Sequence, residues 1–248
     1  MTHPHVPGRS AAFLPAVFLL VLIASTPLMA GTLVMGNPPA PESGNCFPFG
    51  CNYGRFTSLG NEYQQVYSNT VFNGPITITG LEFYNTQQNF DAFGMNTGTF
   101  TIDLSTTSAD WNTLSTTPAS NLGGDNTQVF SGSLAQVWAF GDTLSIVFST
   151  PFTYTPGVGA NLLMDVVATG TSDLRGDIGF DVNLGNTYFG RYYDNGSGNV
   201  NNGFGLVTGF DYGPNVEPVP EPASILLVPA ALGVLALLRK RNRERQNA

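Results

Sequence analysis

Between Gly31 and Gly213 several runs place apolar residues at every second position, and nowhere do apolar residues hold the i, i+3, i+4 spacing of an amphipathic helix over three turns. Phe100, Ile102 and Leu104 alternate with Thr99, Thr101 and Asp103; Leu144, Ile146 and Phe148 alternate with Thr143, Ser145 and Val147. A third run, Ile76–Tyr84, starts after Gly74-Pro75 and carries Gly80 at a point where a bulge is expected. Side chains that alternate in this way suit a strand with one buried face.

Further strands are expected at Tyr63–Ser68, Gln128–Leu134, Phe152–Thr155, Leu162–Thr169, Ile178–Val182, Thr187–Tyr193 and Gly205–Phe210, separated by Gly, Asn, Asp, Ser and Pro clusters. Short strands with turn signals between them predict an all-β chain, an antiparallel β-sandwich of jelly-roll-like form. A parallel β-helix is the alternative, but the sequence has no fixed short period. Leu162–Val167 (LLMDVV) is the most continuously apolar run and the expected central strand. Helical turns are plausible only at Ala109–Leu114 and Leu134–Phe140, which hold Trp111 and Trp138. Each tryptophan is expected to plug the core or its edge, with sugar stacking as the alternative.

The distribution of charge excludes several chemistries. Residues 31–220 carry three arginines, no lysine and fifteen acidic residues, a formal −12, and both histidines lie in the first nine residues. The body therefore lacks the usual general base, the usual Schiff-base amine and the commonest transition-metal ligand. No phosphate-cradling G-x-x-x-x-G-K occurs, and so acidic a surface argues against nucleic acid as a partner. Carboxylate-only glycoside hydrolysis and calcium binding by oxygen ligands remain chemically open.

The two ends read as addresses. Residues 1–30 have a short polar start ending in Arg9, the apolar run Ala11–Ala24 and a small-residue end, the three parts of a signal peptide with cleavage between Ala30 and Gly31. A buried first helix is the alternative, weakened by Pro15 and Pro27. Residues 214–222 (PNVEPVPEP) form a Pro-rich linker that cannot build a helix interior or a paired strand. Residues 223–238 carry no charge and are expected to form a single transmembrane helix, about 24 Å long against a hydrocarbon core of about 30 Å. The Arg-rich tail 239–248 places the body on the exported side of the membrane by the positive-inside rule.

The order Val219-Pro220-Glu221-Pro222-Ala223-Ser224, apolar segment, basic tail resembles the PEP-CTERM sorting signal of Gram-negative bacteria, over about the last thirty residues. The resemblance implies that Pro220, Glu221 and Pro222 are the triplet recognised by an exosortase. After signal peptidase and a transient stay in the inner membrane, that enzyme removes the anchor and releases the body to the cell surface or the exopolysaccharide matrix. An uncut membrane anchor is the plainer alternative.

Within the body, Cys46 and Cys51 are the only cysteines, and in an exported chain they are expected to form a local disulfide worth roughly 2 kcal/mol. Asp173, Asp177 and Asp181, spaced by four around two glycines, are the candidate calcium ligands; the alternative is solvated turn carboxylates. Tyr188, Tyr192 and Tyr193 beside Arg191 are candidates for a carbohydrate-contacting platform. No other cofactor and no catalytic residue is expected. The sequence thus points to a non-enzymatic structural or adhesive protein of the surface or matrix, with a carbohydrate-binding module, calcium-assisted or not, as the alternative and a carboxylate-only hydrolase behind it.

Overall fold

The computed structural model describes residues 30–41, 43–51, 61–87, 93–95, 97–170, 178–194, 196 and 198–213. The expected signal peptide up to residue 29, the linker, the Pro220-Glu221-Pro222 triplet, the apolar segment, the tail, Asp173 and Asp177 all lie outside the described residues.

The described chain is all-β and its sheets are antiparallel. Strands are numbered in chain order. A four-stranded sheet runs β1 (Gly31–Met35), β15 (Thr208–Gly213), β4 (Ile76–Tyr84), β9 (Thr143–Tyr154). A six-stranded sheet runs β13 (Asn199–Asn202), β12 (Phe189–Tyr193), β3 (Glu62–Tyr67), β10 (Asn161–Thr169), β6 (Thr99–Thr107), β7 (Thr127–Ser133). Two small sheets flank them: β14 (Phe204–Leu206), β11 (Phe180–Leu184) and β2 (Gly44–Asn45); and β5 (Phe93–Gly94) with β8 (Val137–Trp138).

The two large sheets pack face to face in a β-sandwich-like arrangement, because alternation gives each one apolar side. Tyr67 of the six-stranded sheet stands edge-on to Phe210 of the four-stranded sheet, with ring centroids 4.9 Å apart, and its hydroxyl shares a 2.8 Å hydrogen bond with Thr208 Oγ1. At one rim the sheets are tied by Ser149 Oγ, which donates to the Val129 carbonyl at 3.1 Å. Leu162, Met164 and Val166 of β10 point into this core, and β10 has three strands on one side and two on the other in its sheet, the central position expected of it.

The disulfide joins Cys46 to Cys51. Its function in the fold goes beyond loop closure. The turn, closed by Gly50 N–H donating to Cys46 O at 2.7 Å, drives Phe49 into the core against Phe83, Phe100 and Phe180. Gly50 is required there, since a Cβ would stand 2.2 Å from Ile178 Cγ1 and 2.8 Å from the Ile178 carbonyl oxygen.

Gly80 lies at a register shift between β4 and β9, where Ile78 pairs with Phe152 but Gly80 pairs with Val147. The extra residues of β9 bulge outward and include Pro151, which an edge strand tolerates. What reads as two strands, Thr143–Phe148 and Phe152–Thr155, is therefore one. Conversely, Gly205–Phe210 is not one strand: Val207 turns aside to donate to Asp181 O at 2.9 Å, so β14 and β15 join different sheets.

Neither expected helical turn forms. Asp110–Thr113 is a plain turn, and Val137–Trp138 is the strand β8, with Val137 outward and Trp138 buried. Trp138 plugs the core against Phe180 and donates its Nε1–H to Gly179 O at 2.9 Å, while Trp111 is half-buried at the rim of β12.

Candidate functional site

The six-stranded sheet has a second, outward face, and the segment between β6 and β7 covers part of it. Asn121 Nδ2 donates to Gln64 Oε1 at 2.8 Å, and Gln64 Nε2 donates to Pro118 O at 3.1 Å. Trp111 comes so close that a Cβ on Gly190 would stand 2.2 Å from its carbonyl oxygen. Val66, Leu163 and Leu114 form a small apolar cluster beneath this cover.

The tyrosines of β12 divide between the two faces. Phe189, Arg191 and Tyr193 point inward, whereas Gly190 and Tyr192 point outward. Tyr193 packs against Phe47 at 5.3 Å between centroids, and Tyr188 lies edge-on to Phe189 with its hydroxyl 3.4 Å from Asn183 Oδ1. Tyr188, Tyr192 and Tyr193 thus do not line up as one platform, because residues 192 and 193 are neighbours on a strand.

Arg191 is the only Arg, Lys or His among the described residues, and it is 8% exposed. Its guanidinium lies 3.8 Å from the Phe204 ring centroid and 4.6 Å from that of Tyr193, a cation held between two aromatic faces. Nε and Nη2 donate to Asn201 Oδ1 at 3.1 and 3.0 Å, while the buried Nη1 makes no hydrogen bond. Burial pulls the guanidinium below its ordinary pKa, and Tyr63, beside it, offsets part of this. Asn201 and Phe204 also line an open cleft of about 540 Å³ with Leu184, Val200 and Asn202. An aromatic ring, two side-chain amides and a cation just beneath are the groups with which proteins hold sugar rings. The sequence singled out Tyr193 and Arg191 here; Phe204 and Asn201 come from the next hairpin and are brought in by register, Asn201 opposite Arg191.

The outward face holds a different set. Tyr192, Gln64, Asp165 and Asp103 are successive register partners across β12, β3, β10 and β6. Asp165 is 8% exposed. Burial, then the neighbouring Glu62 and Asp103 carboxylates, push its carboxyl from 3.8 up to about 7, and it shares a hydrogen bond with Glu62. Glu62 is itself raised, by burial and by Asp194, and Tyr192 is raised by burial and by Asp194, Glu62 and Asp165. One oxygen of Asp103 accepts from Asn126 Nδ2 at 2.8 Å. Glu62 and Asp165 stand 41 and 62 residues from Asp103 in the chain, and only strand pairing brings the three onto one face.

Asp181 is a buried structural carboxylate. Its Oδ1 accepts from the Thr86 and Gln87 N–H groups at 2.8 and 3.1 Å and its Oδ2 from Thr86 Oγ1 at 2.6 Å. Its partners in the calcium expectation, Asp173 and Asp177, lie outside the described residues. Among the described residues no three His, Cys, Asp or Glu side chains converge on a common point, and no helix is long and apolar enough to cross a membrane. No protein-family model, curated protein or solved structure matches this chain.

Proposed function

We propose that this chain is an exported, non-enzymatic protein of the cell surface or extracellular matrix, with a structural or adhesive role, sorted through its PEP-CTERM-like carboxyl end. One observation carries the reading. Strand β1 starts at Gly31, the residue after the expected signal cleavage, and it pairs with β15, Gly31 opposite Tyr212. The segments that would be removed, residues 1–30 and those after the Pro220-Glu221-Pro222 triplet, thus flank a body whose first and last described strands are paired, and none of the described strands goes with them. Connections β3 to β4, β4 to β6, β7 to β9 and β9 to β10 pass between the two large sheets, which supports the jelly-roll-like form of the sandwich. The burial of Asp165, the acid hydrogen-bonded to Glu62, leaves a sugar poor access to that pair, which favours a non-enzymatic role.

The test is processing. In cells with an exosortase, mass spectrometry of the surface protein is expected to find Gly31 at the amino end and no Arg239–Arg245. Surface protein that retains the basic tail overturns the sorting proposal.

A second reading, a carbohydrate-binding sandwich, is favoured by the cleft over Arg191. An acidic or neutral exopolysaccharide would stack on Phe204 and hydrogen-bond Asn201 and Asn202. Glycan-array binding that is lost in Phe204→Ala supports it; absence of binding to every glycan rejects it.

A further inference from the structure

Asp103 and Asp165 are direct register partners across β6 and β10, with both side chains on the outward face. Side chains so placed have Cβ atoms about 4.5–5.5 Å apart, and like charges in that position repel. Each nevertheless has a buried Oδ1 that accepts no hydrogen bond. The remaining Asp103 oxygen is held by Asn126, and the Asp165 carboxyl also meets Glu62 and Gln64. The charged and titratable groups around the pair are Glu62 and Tyr192, with Asp194 behind Glu62; all are acidic or neutral. Arg191 points to the opposite face. Buried anionic oxygens are almost always paired, so two orphans on register partners of adjacent strands need a partner.

We propose that Asp103 and Asp165 form a divalent-cation site of the calcium class, with the two Oδ1 atoms as its protein ligands and water in the other positions. A single shared proton is the competing way to relieve the pair, and calcium and acid would act on it differently. An ion between the strands contacts both orphans, since calcium binds oxygen at about 2.3–2.6 Å and tolerates irregular geometry. All-oxygen ligands without His or Cys disfavour zinc and copper. Access is needed only for a bare ion, not for a sugar. This site is separate from the Asp173, Asp177 and Asp181 loop, and it does not depend on the export reading.

The experiment is thermal unfolding of the full chain, with calorimetric titration of CaCl₂ in parallel. At about pH 8, millimolar calcium is expected to raise the Tm by about 5 °C over chelator, and magnesium by less. Asp103→Asn and Asp165→Asn are each expected to abolish that response and the titration heat. Asp165→Asn removes a like-charge contact, so its Tm in chelator is expected to equal or exceed that of the unaltered protein; loss of the response is then not loss of the fold. A Tm that ignores calcium and rises only on acidification overturns the proposal in favour of a shared proton. A response that survives in both variants places the ion elsewhere.

Discussion

The six-stranded sheet buries a cation, Arg191, on one face and an acid, Asp165, beside the half-buried Asp103 on the other, and the two charges never meet. Arg191 lies in a row with Gln65, Met164 and Leu104 on the inward face; one residue along each strand, Tyr192, Gln64, Asp165 and Asp103 form the outward row. In a chain this acidic, the only described basic residue could have neutralised Asp165, but strand parity sends the two to opposite sides. Each charge is therefore accommodated by a different device. The arginine is delocalised and weakly hydrated, and it is held by two rings and an amide oxygen. Asp165 has no such softness and falls back on a raised pKa. Charge balance here is decided locally, by which face a residue occupies.

The two faces respond to substitution with opposite signs. The largest effect is expected at Arg191→Ala, which empties the space between Phe204 and Tyr193 and leaves Asn201 Oδ1 without a donor, at about 3 kcal/mol in urea unfolding. Arg191→Met fills most of that space and is expected to lose less than half as much; an equal loss would mean that the charge, not the packing, holds the rings. Next is Gly190→Ala, which drives a methyl into the Trp111 carbonyl and is expected to cost about 2 kcal/mol, with little effect on the inward face.

Asp165→Asn reverses the sign. In chelator at about pH 8 it is expected to stabilise by about 1 kcal/mol, because the new amide can donate to Asp103 Oδ1. It also alters the pH dependence. With its carboxyl raised from 3.8 to about 7, folded Asp165 keeps a proton that the unfolded chain gives up, so stability falls as pH rises between those values and levels off above. Glu62, also raised, adds to the same slope. Asn at 165 is expected to flatten it; a slope unchanged in a pH series of unfolding curves would assign the titration elsewhere. The smallest effect, about 0.5–1 kcal/mol, is expected for Asn126→Ala, which removes the one hydrogen bond to Asp103 Oδ2.

Much of the fold was legible because period-two alternation reports a face directly. It located β4 with its bulge at Gly80, β6, the two halves of β9 as separate strands, and central β10. Alternation fails where a strand is short or covered on both sides. Asn199–Asn202 has no apolar rhythm and is a strand only because Arg191 and Tyr192 pair with it, and Phe204–Phe210 conceals a change of sheet at Val207. Covered strands also conceal sites. Leu162–Val167 reads as uniformly apolar, yet Leu163 and Asp165 face outward under the β6–β7 segment. An aspartate inside the most apolar run of the chain was the available signal; its partner Asp103, known only through register, carried none.

The pairing of β1 with β15 also fixes how the molecule bears load. A pull at residue 31 acts on an edge strand held by a single ladder, whereas a pull at residue 213 acts on β15, which is hydrogen-bonded to β1 on one side and β4 on the other. Extracting β15 requires two ladders to fail together, with Phe210 drawn out from between Tyr67 and Phe72. Although its two ends emerge side by side, the body is mechanically unequal at them: it resists tension applied through its carboxyl end and yields more readily to tension through its amino end.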